Sequence, residues 1–182
     1  MDFERTVADG LDHLQALGHR RFGLMVEDLE RGPLRGYGRR RAPSGRSCRR
    51  RRRAARRRGR QVRADARGGR AAAGELLAAD PGITAVMLLN DQAARGLISG
   101  LDAAGRRVPE DVSILSLASS TEVGALVEPA LSTMDAPGPE LGRLAVEMLL
   151  ARLDGTSTEL PHALLPCLLH VAASTGPAPA AR

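Results

Sequence analysis

The sequence predicts an α/β protein whose parallel sheet is covered by helices on both faces. Three short segments, 22–26, 84–89 and 112–117, consist mainly of apolar residues and carry no charge, which is typical of strands buried on both faces. Segments with apolar residues three and four positions apart, typical of helices, alternate with these strands. Such alternation indicates a three-layer α/β/α architecture.

The N-terminal part predicts a helix followed by a strand. The helix covers residues 3–17, and its apolar face consists of Phe3, Val7, Leu11, Leu14 and Leu17. Gly18 favours the end of this helix. The strand 22–26 follows, and the acidic residues after it begin a loop.

Regular structure is predicted to resume after an arginine-rich middle segment. A helix covers residues 70–79, and the turn-forming sequence DPG ends it. The strand 84–89 follows. Asn90 caps the next helix, which Gly105 ends before the strand 112–117.

The C-terminal part predicts shorter elements. Residues 118–130 are irregular with one helical turn, and residues 131–134 form a short strand. A helix with regular apolar spacing covers 139–153. A last strand is predicted over 162–171, and a tail rich in Pro and Ala occupies 177–182.

Length and composition fit one globular domain without catalytic or metal-binding features. The chain has 182 residues, of which 43% are hydrophobic. Cys48 and Cys167 are isolated, the four histidines lack metal spacing and are predicted at or near the surface, and no Ser/His/Asp set has motif support. The N-terminus lacks the apolar stretch of a signal peptide, and no apolar run is long enough to span a bilayer. We expect a cytoplasmic, non-enzymatic protein without cofactor, metal or membrane partner.

Positive charge is concentrated in one segment. All 27 basic residues are arginine, and 16 of them lie in residues 39–70 beside one acid, Asp65, a local net charge of +15. The rest of the chain holds 11 arginines and 20 acids, a net charge of −9. A self-repelling run such as RRRRRAARRRGR at 49–60 buries too little apolar surface to become ordered. We therefore predict that residues 38–67 are disordered and interrupt the domain.

Two origins of this segment stay open. One is an evolved basic arm that binds nucleic-acid phosphates without sequence preference. The other is a frame-shifted stretch of a GC-rich gene, because residues 38–60 contain only Gly, Arg, Ala, Pro, Ser and Cys. Translation of the gene in the other two frames separates these origins, since only a frameshift predicts a Leu- and Val-rich pattern there.

Several segments resemble the effector-binding region of lactose-repressor/galactose-repressor (LacI/GalR) transcription regulators. They are LGHRRFGLM (17–25), GITAVMLLNDQAARG (82–96), GRRVPEDVSIL (105–115), EPALSTMDAPGPELGRLAVEMLL (128–150) and the ending STGPAP (174–179). The resemblance implies a periplasmic-binding-protein-like (type I) lobe. Residues 1–176 are then a partial sensor domain, and we expect a truncated regulator without the helix-turn-helix, the hinge and most of the first lobe.

The resemblance also implies ligand-binding positions. Asn90 matches the family Asn that often bonds a sugar hydroxyl, and Asp91 follows it. Ser119 lies where the strand runs into a segment that carries a carboxylate for two sugar hydroxyls in the family; that acid is missing here. Pro33 occupies the position of a family arginine. Arg31 or Arg35 is the candidate substitute, and neither lies at the matching position.

Each position also has a structural interpretation. Asn90 caps a helix, Asp91 complements the helix dipole, and Ser119 belongs to a polar loop. The resemblance implies a sugar or a similar small polar molecule as the effector, a homodimer, and operator DNA bound only through the absent N-terminal domain. Two alternatives stay open, a transport-associated sugar-binding protein of the same fold and an arginine-rich nucleic-acid-binding module.

Overall fold

The computed structural model describes residues 1–27, 59–62, 65–89, 91–155 and 163–180. In chain order its elements are α1 (Phe3–Ala16), β1 (Phe22–Glu27), β2 (Gly59–Val62), α2 (Ala66–Ala79), β3 (Ala85–Leu88), α3 (Asp91–Ala103), β4 (Ser113–Ser119), α4 (Thr121–Gly124), β5 (Ser132–Asp135), α5 (Gly138–Leu153) and β6 (Leu168–His170).

The six strands form one sheet in the order β2-β1-β3-β4-β5-β6. The first five are parallel, as predicted, and β6 runs antiparallel to β5. The predicted parallel sheet is therefore confirmed for five strands, and β6 adds an antiparallel edge. The predicted strand 162–171 is reduced to Leu168–His170. All three side chains of β6 are exposed, and an antiparallel edge tolerates solvent where a parallel strand needs cover on both faces.

The predicted interruption at 38–67 needs correction near its C-terminal end. Gly59–Val62 forms β2, which extends the sheet beside β1 with Leu24 opposite Gly59. Backbone N–H and C=O groups make such a ladder whatever the side chains are. Strand β1 is therefore paired on both sides, with β2 and with β3. Residues 38–58 and 63–64 lie outside the described residues.

Helix α2 begins earlier than the apolar spacing indicates. It starts at Ala66 rather than at residue 70, and Asp65 is its N-cap, with a carboxylate that accepts a hydrogen bond from the Gly68 N–H at 2.7 Å. The apolar pattern misses this first turn because its residues are Ala, Arg and Gly. A side-chain cap explains the start instead.

Helices α2 and α3 pack unusually close together through glycine. A Cβ atom on Gly69 would collide with the Ala93 carbonyl oxygen, and one on Gly96 would collide with the Ala66 carbonyl oxygen. A Cβ atom on Gly100 would lie 2.6 Å from the Ala73 Cβ. These positions accept no side chain without a shift of the helix backbones.

Two apolar clusters cover the two faces of the sheet, which confirms the three-layer architecture. The larger cluster joins α2 and α3 to the sheet and includes Leu76, Ile83, Val86, Leu88, Leu97, Leu101, Ile114 and Leu131. The other joins α1 to the opposite face and includes Leu11, Leu14, Ala85, Met87, Leu115, Leu117, Met134 and Cys167. Gly18 ends α1 as predicted, with φ of 93°.

Helix α5 leaves its apolar side chains in solvent. None of its residues is buried, and Val146 and Leu153 are 56% and 72% exposed. On its polar side Arg143 bonds Glu140 and Glu147, and these carboxylates raise the pKa of Arg143 above its ordinary value. Exposed ion pairs of this kind add little stability. The described residues leave the apolar side of this helix uncovered.

Candidate functional site at the carboxyl edge of the sheet

The carboxyl ends of four parallel strands meet at one edge of the sheet. Met25 of β1 lies opposite Leu88 of β3, Leu88 lies opposite Ser116 of β4, and Ser119 lies opposite Asp135 of β5. The residues that follow these strands therefore share the edge where open α/β sheets bind ligands.

Two of the four predicted ligand positions lie in the described part of the chain. Asp91 is the first residue of α3 and is half-buried. Its carboxylate complements the positive end of the helix dipole. Asn90 and Arg31 lie outside the described residues, so their roles stay predictions.

Ser119 is the last residue of β4 and is half-buried. Its Oγ atom is enclosed and has no hydrogen-bond partner in the described structure, and the same holds for Ser116 Oγ, three residues earlier on β4. Buried hydroxyls normally have a partner. Ser119 and Ser116 therefore leave unused hydrogen-bonding capacity beneath this edge.

The acid missing from β4 has a counterpart on the neighbouring strand. Asp135 ends β5 directly opposite Ser119. Its Oδ2 accepts hydrogen bonds from the Thr121 N–H at 3.1 Å and from the Thr121 hydroxyl, and its Oδ1 accepts one from the Thr133 hydroxyl. The sequence analysis missed Asp135. The only available signal was its position immediately after the predicted strand 131–134.

Helix α4 closes the loop between β4 and β5. Ser120 is its N-cap and its Oγ accepts a hydrogen bond from the Val123 N–H at 3.3 Å. Hydrogen bonds from the Glu122 backbone N–H and the Ser120 hydroxyl lower the pKa of Glu122. Helix α4 is thus the one helical turn that the sequence predicted within the irregular stretch 118–130.

The described residues of this edge offer hydrogen-bonding groups. Asp135 supplies acceptors, and Ser119 supplies a hydroxyl. His19 lies at the opposite, amino edge, where it contacts Thr84 before β3 and Ser113 at the start of β4. In the part of the chain that the structure describes, no group of His, Cys, Asp and Glu side chains is arranged to hold a metal ion.

A second concavity lies along the outer side of α3, away from the carboxyl edge. It has a volume of about 670 Å³ and is lined by α3 and by residues 106–110 and 126–129. Arg95 crosses it and donates a hydrogen bond to the Leu126 carbonyl oxygen at 2.7 Å. Leu126 itself is 72% exposed.

Over the described ranges, no helix is long and apolar enough to cross a membrane.

The parallel sheet, its two helical layers and the polar carboxyl edge define a sensor lobe of the periplasmic-binding-protein type. The chain matches the model of the periplasmic binding protein-like domain over residues 11–175. It belongs to that family, as the effector-binding domain of the LacI/GalR-type transcription regulators.

Individual relatives agree with this assignment. Over 88 residues the chain is 35% identical to the HTH-type transcriptional regulator pepR1 of Lactobacillus delbrueckii subsp. lactis, a match that covers 48% of this chain and 26% of pepR1. The chain thus spans about a quarter of this curated relative.

Solved structures extend the match to nearly the whole chain. A dimeric Lac repressor with an 11-residue C-terminal deletion superposes with a TM-score of 0.77 and 26% identity, over 98% of this chain and 63% of that one. A LacI family regulator from Arthrobacter sp. FB24, in complex with lactose, gives a TM-score of 0.71 and 25% identity, over 96% and 63% of the two chains.

Proposed function

We propose that this chain binds a neutral sugar or a similar small polyhydroxylated effector, as the sensor part of a transcription regulator. The observation that carries this proposal is the polar carboxyl edge, where Ser119 and Asp135 face each other at the ends of neighbouring strands. Hydroxyl-rich ligands match this edge because each hydroxyl both donates and accepts. The lactose complex of the Arthrobacter relative supports the same ligand class.

In this proposal the protein is cytoplasmic and catalyses no reaction. Operator DNA is read by a helix-turn-helix outside the present sequence, since phosphate contacts alone carry no sequence information. A homodimer is proposed from the dimeric state of the Lac repressor relative. The outer concavity beside α3 supports it, because exposed Leu126 lies there with side chains of both charges, Arg95 and Glu128.

Calorimetric titration with a panel of neutral sugars tests the proposal. The panel contains lactose, galactose, glucose, ribose and cellobiose, each at 50 and 200 mM salt. We expect at least one sugar to bind with a Kd that changes less than about twofold between the two salt concentrations, because the ligand carries no charge.

The arginine-rich nucleic-acid module gives the opposite pattern in the same experiment. A control titration with duplex DNA should then bind tightly at low salt and weaken by about 10³-fold or more at 200 mM, as several phosphate contacts require. Strong DNA binding together with no binding of any sugar would reject the sensor proposal.

A further inference from the structure

We infer that Asp135 and Ser119 together anchor one hydroxyl of the ligand, so that β5 supplies the carboxylate which β4 lacks. This inference rests on the proposed function and names a residue that determines ligand specificity. The ligand class is a neutral polyhydroxylated molecule, and an anionic relative of the same shape is disfavoured.

The sheet register makes Ser119 and Asp135 direct partners at the ends of neighbouring strands. Ser116 pairs with Thr133, and the register shifts between the two pairs because three residues of β4 span two of β5. Met134, between the two β5 residues, belongs to the cluster under α1, so Thr133 and Asp135 point to the other face, because successive strand residues alternate. Asp135 therefore lies on the α4 side of the sheet, beside its register partner Ser119 at the carboxyl edge.

The hydrogen bonds of Asp135 leave one acceptor position open. Its Oδ2 accepts two bonds, both from Thr121, and its Oδ1 accepts one, from Thr133. Each carboxylate oxygen has two lone pairs, so Oδ1 retains one. The carboxylate is held by its neighbours in a fixed orientation, which lowers the cost of ordering it when a ligand binds.

Ser119 supplies the complementary group. Its Oγ is enclosed and no hydrogen bond holds it in that position, while the residue as a whole is half-exposed. Rotation about χ1 therefore breaks no hydrogen bond as it turns the hydroxyl towards Asp135. A ligand hydroxyl that donates to Asp135 Oδ1 and accepts from the Ser119 hydroxyl provides the missing hydrogen-bond partner of both side chains. A ligand carboxylate in the same place lacks the donor and is repelled by Asp135.

A purely structural role makes a different prediction. Because Asp135 joins β5 to Thr121 of α4, its loss also loosens the turn that carries Ser119. Thr133→Val separates the two roles, since it removes one of the bonds that orient Asp135 and leaves the carboxylate in place. Asp135→Asn keeps the shape and removes the charge.

The experiment is calorimetric titration of the full chain with the best-binding neutral sugar of the panel, and with glucose against glucuronate. For Asp135→Asn we expect about ten- to hundredfold weaker binding of the neutral sugar, as for the loss of a hydrogen bond to a charged group. Ser119→Ala should have a smaller effect and Thr133→Val a change below about threefold. The preference for glucose over glucuronate should shrink in Asp135→Asn.

Each contrary result has a distinct meaning. If the wild type binds a sugar and Asp135→Asn binds it equally well, the anchor is overturned and the proposed function stands. If Thr133→Val weakens binding as much as Asp135→Asn, or if the glucose preference is unchanged in Asp135→Asn, Asp135 acts through structure and the inference is wrong. If the wild type binds no neutral sugar, the proposed function fails and the anchor fails with it.

Discussion

At the residue scale, His19 shows how tertiary contacts bury a side chain that the sequence places at the surface. It is fully buried, although we predicted a position at or near the surface. Its Nδ1 lies 3.0 Å from the Thr84 hydroxyl, and its Nε2 lies 3.0 Å from both the Ser113 hydroxyl and the Gly176 carbonyl oxygen. Through these contacts the imidazole links the segment after α1, the starts of β3 and β4, and the C-terminal segment.

Burial makes this residue a source of acid sensitivity. Desolvation lowers the pKa of His19 below its ordinary value of 6.5. The hydrogen bond to the Gly176 carbonyl oxygen raises the pKa, and the positive charge of His13 lowers it. The net result is a lowered pKa. A lowered pKa means that the unfolded chain binds the proton more readily. The stability that neutral His19 contributes is therefore present above pH 6.5 and is lost as the pH falls through the lowered value.

His19→Gln tests this sensitivity, because glutamine keeps a hydrogen-bonding group and does not titrate. We expect the free energy of unfolding to fall by about 1–3 kcal/mol at pH 7.5, where buried hydrogen bonds are lost. The difference in the free energy of unfolding between wild type and variant should be smaller at pH 5.5, because only the wild type loses stability as the pH falls. Denaturant unfolding at both pH values measures this difference. A difference independent of pH would contradict the assignment, and His170→Gln, at an exposed position of β6, is the control.

At the element scale, helix packing depends on glycines whose role cannot be inferred from local propensity. Gly96 faces the Ala66 carbonyl oxygen across the α2–α3 contact, whereas a Cβ atom on Gly74 of α2 would meet no other atom within 4 Å. Both lie inside helices, where glycine is unfavourable by about 1 kcal/mol relative to alanine. The same substitution should therefore have opposite effects at the two positions.

Gly96→Ala should lower the free energy of unfolding by about 1–3 kcal/mol, because the new methyl group pushes against backbone that cannot turn aside. Gly74→Ala should raise it by about 0.5–1 kcal/mol through helix propensity alone. Thermal and denaturant unfolding of the two variants beside the wild type measure both effects. Equal stabilisation of the two variants would show that α2 and α3 do not pack this closely in solution.

At the scale of the whole molecule, the exposed leucines Leu126 and Leu149 lie in separate places. Leu126 borders the outer concavity, and Leu149 lies on the solvent-facing side of α5 with 56% of its surface exposed. The proposed dimer covers only the first of these. A matched pair of substitutions therefore distinguishes a specific dimer interface from non-specific hydrophobic association.

Leu126→Glu should convert a homodimer to a monomer, because an unpaired carboxylate in an apolar contact is costly to desolvate. Leu149→Glu should leave the dimer intact. Sedimentation equilibrium over a range of protein concentrations gives the association constants. A monomeric wild type would reject the proposed dimer, and dissociation by Leu149→Glu alone would move the interface to α5.

Apart from β2, the kinds of elements and their order followed from the sequence, because both depend on local spacing. The apolar runs at 84–89 and 112–117 and the helical pattern at 139–153 each depend on a few neighbouring residues, and the structure contains β3, β4 and α5 there. The resemblance to the LacI/GalR sensor domain also needed only short motifs. These features were predictable without any contact between distant parts of the chain.

The tertiary structure alone decided which distant residues meet. Asp135 is 16 positions from Ser119, and only the β4–β5 register brings the two together. The same holds for His19 and Gly176, and for Gly96 and Ala66. The direction of β6 was equally hidden, because an exposed edge strand has no apolar pattern to define its pairing. Local periodicity encodes which side of an element is buried, whereas a binding edge depends on register between strands, which no single stretch of sequence contains.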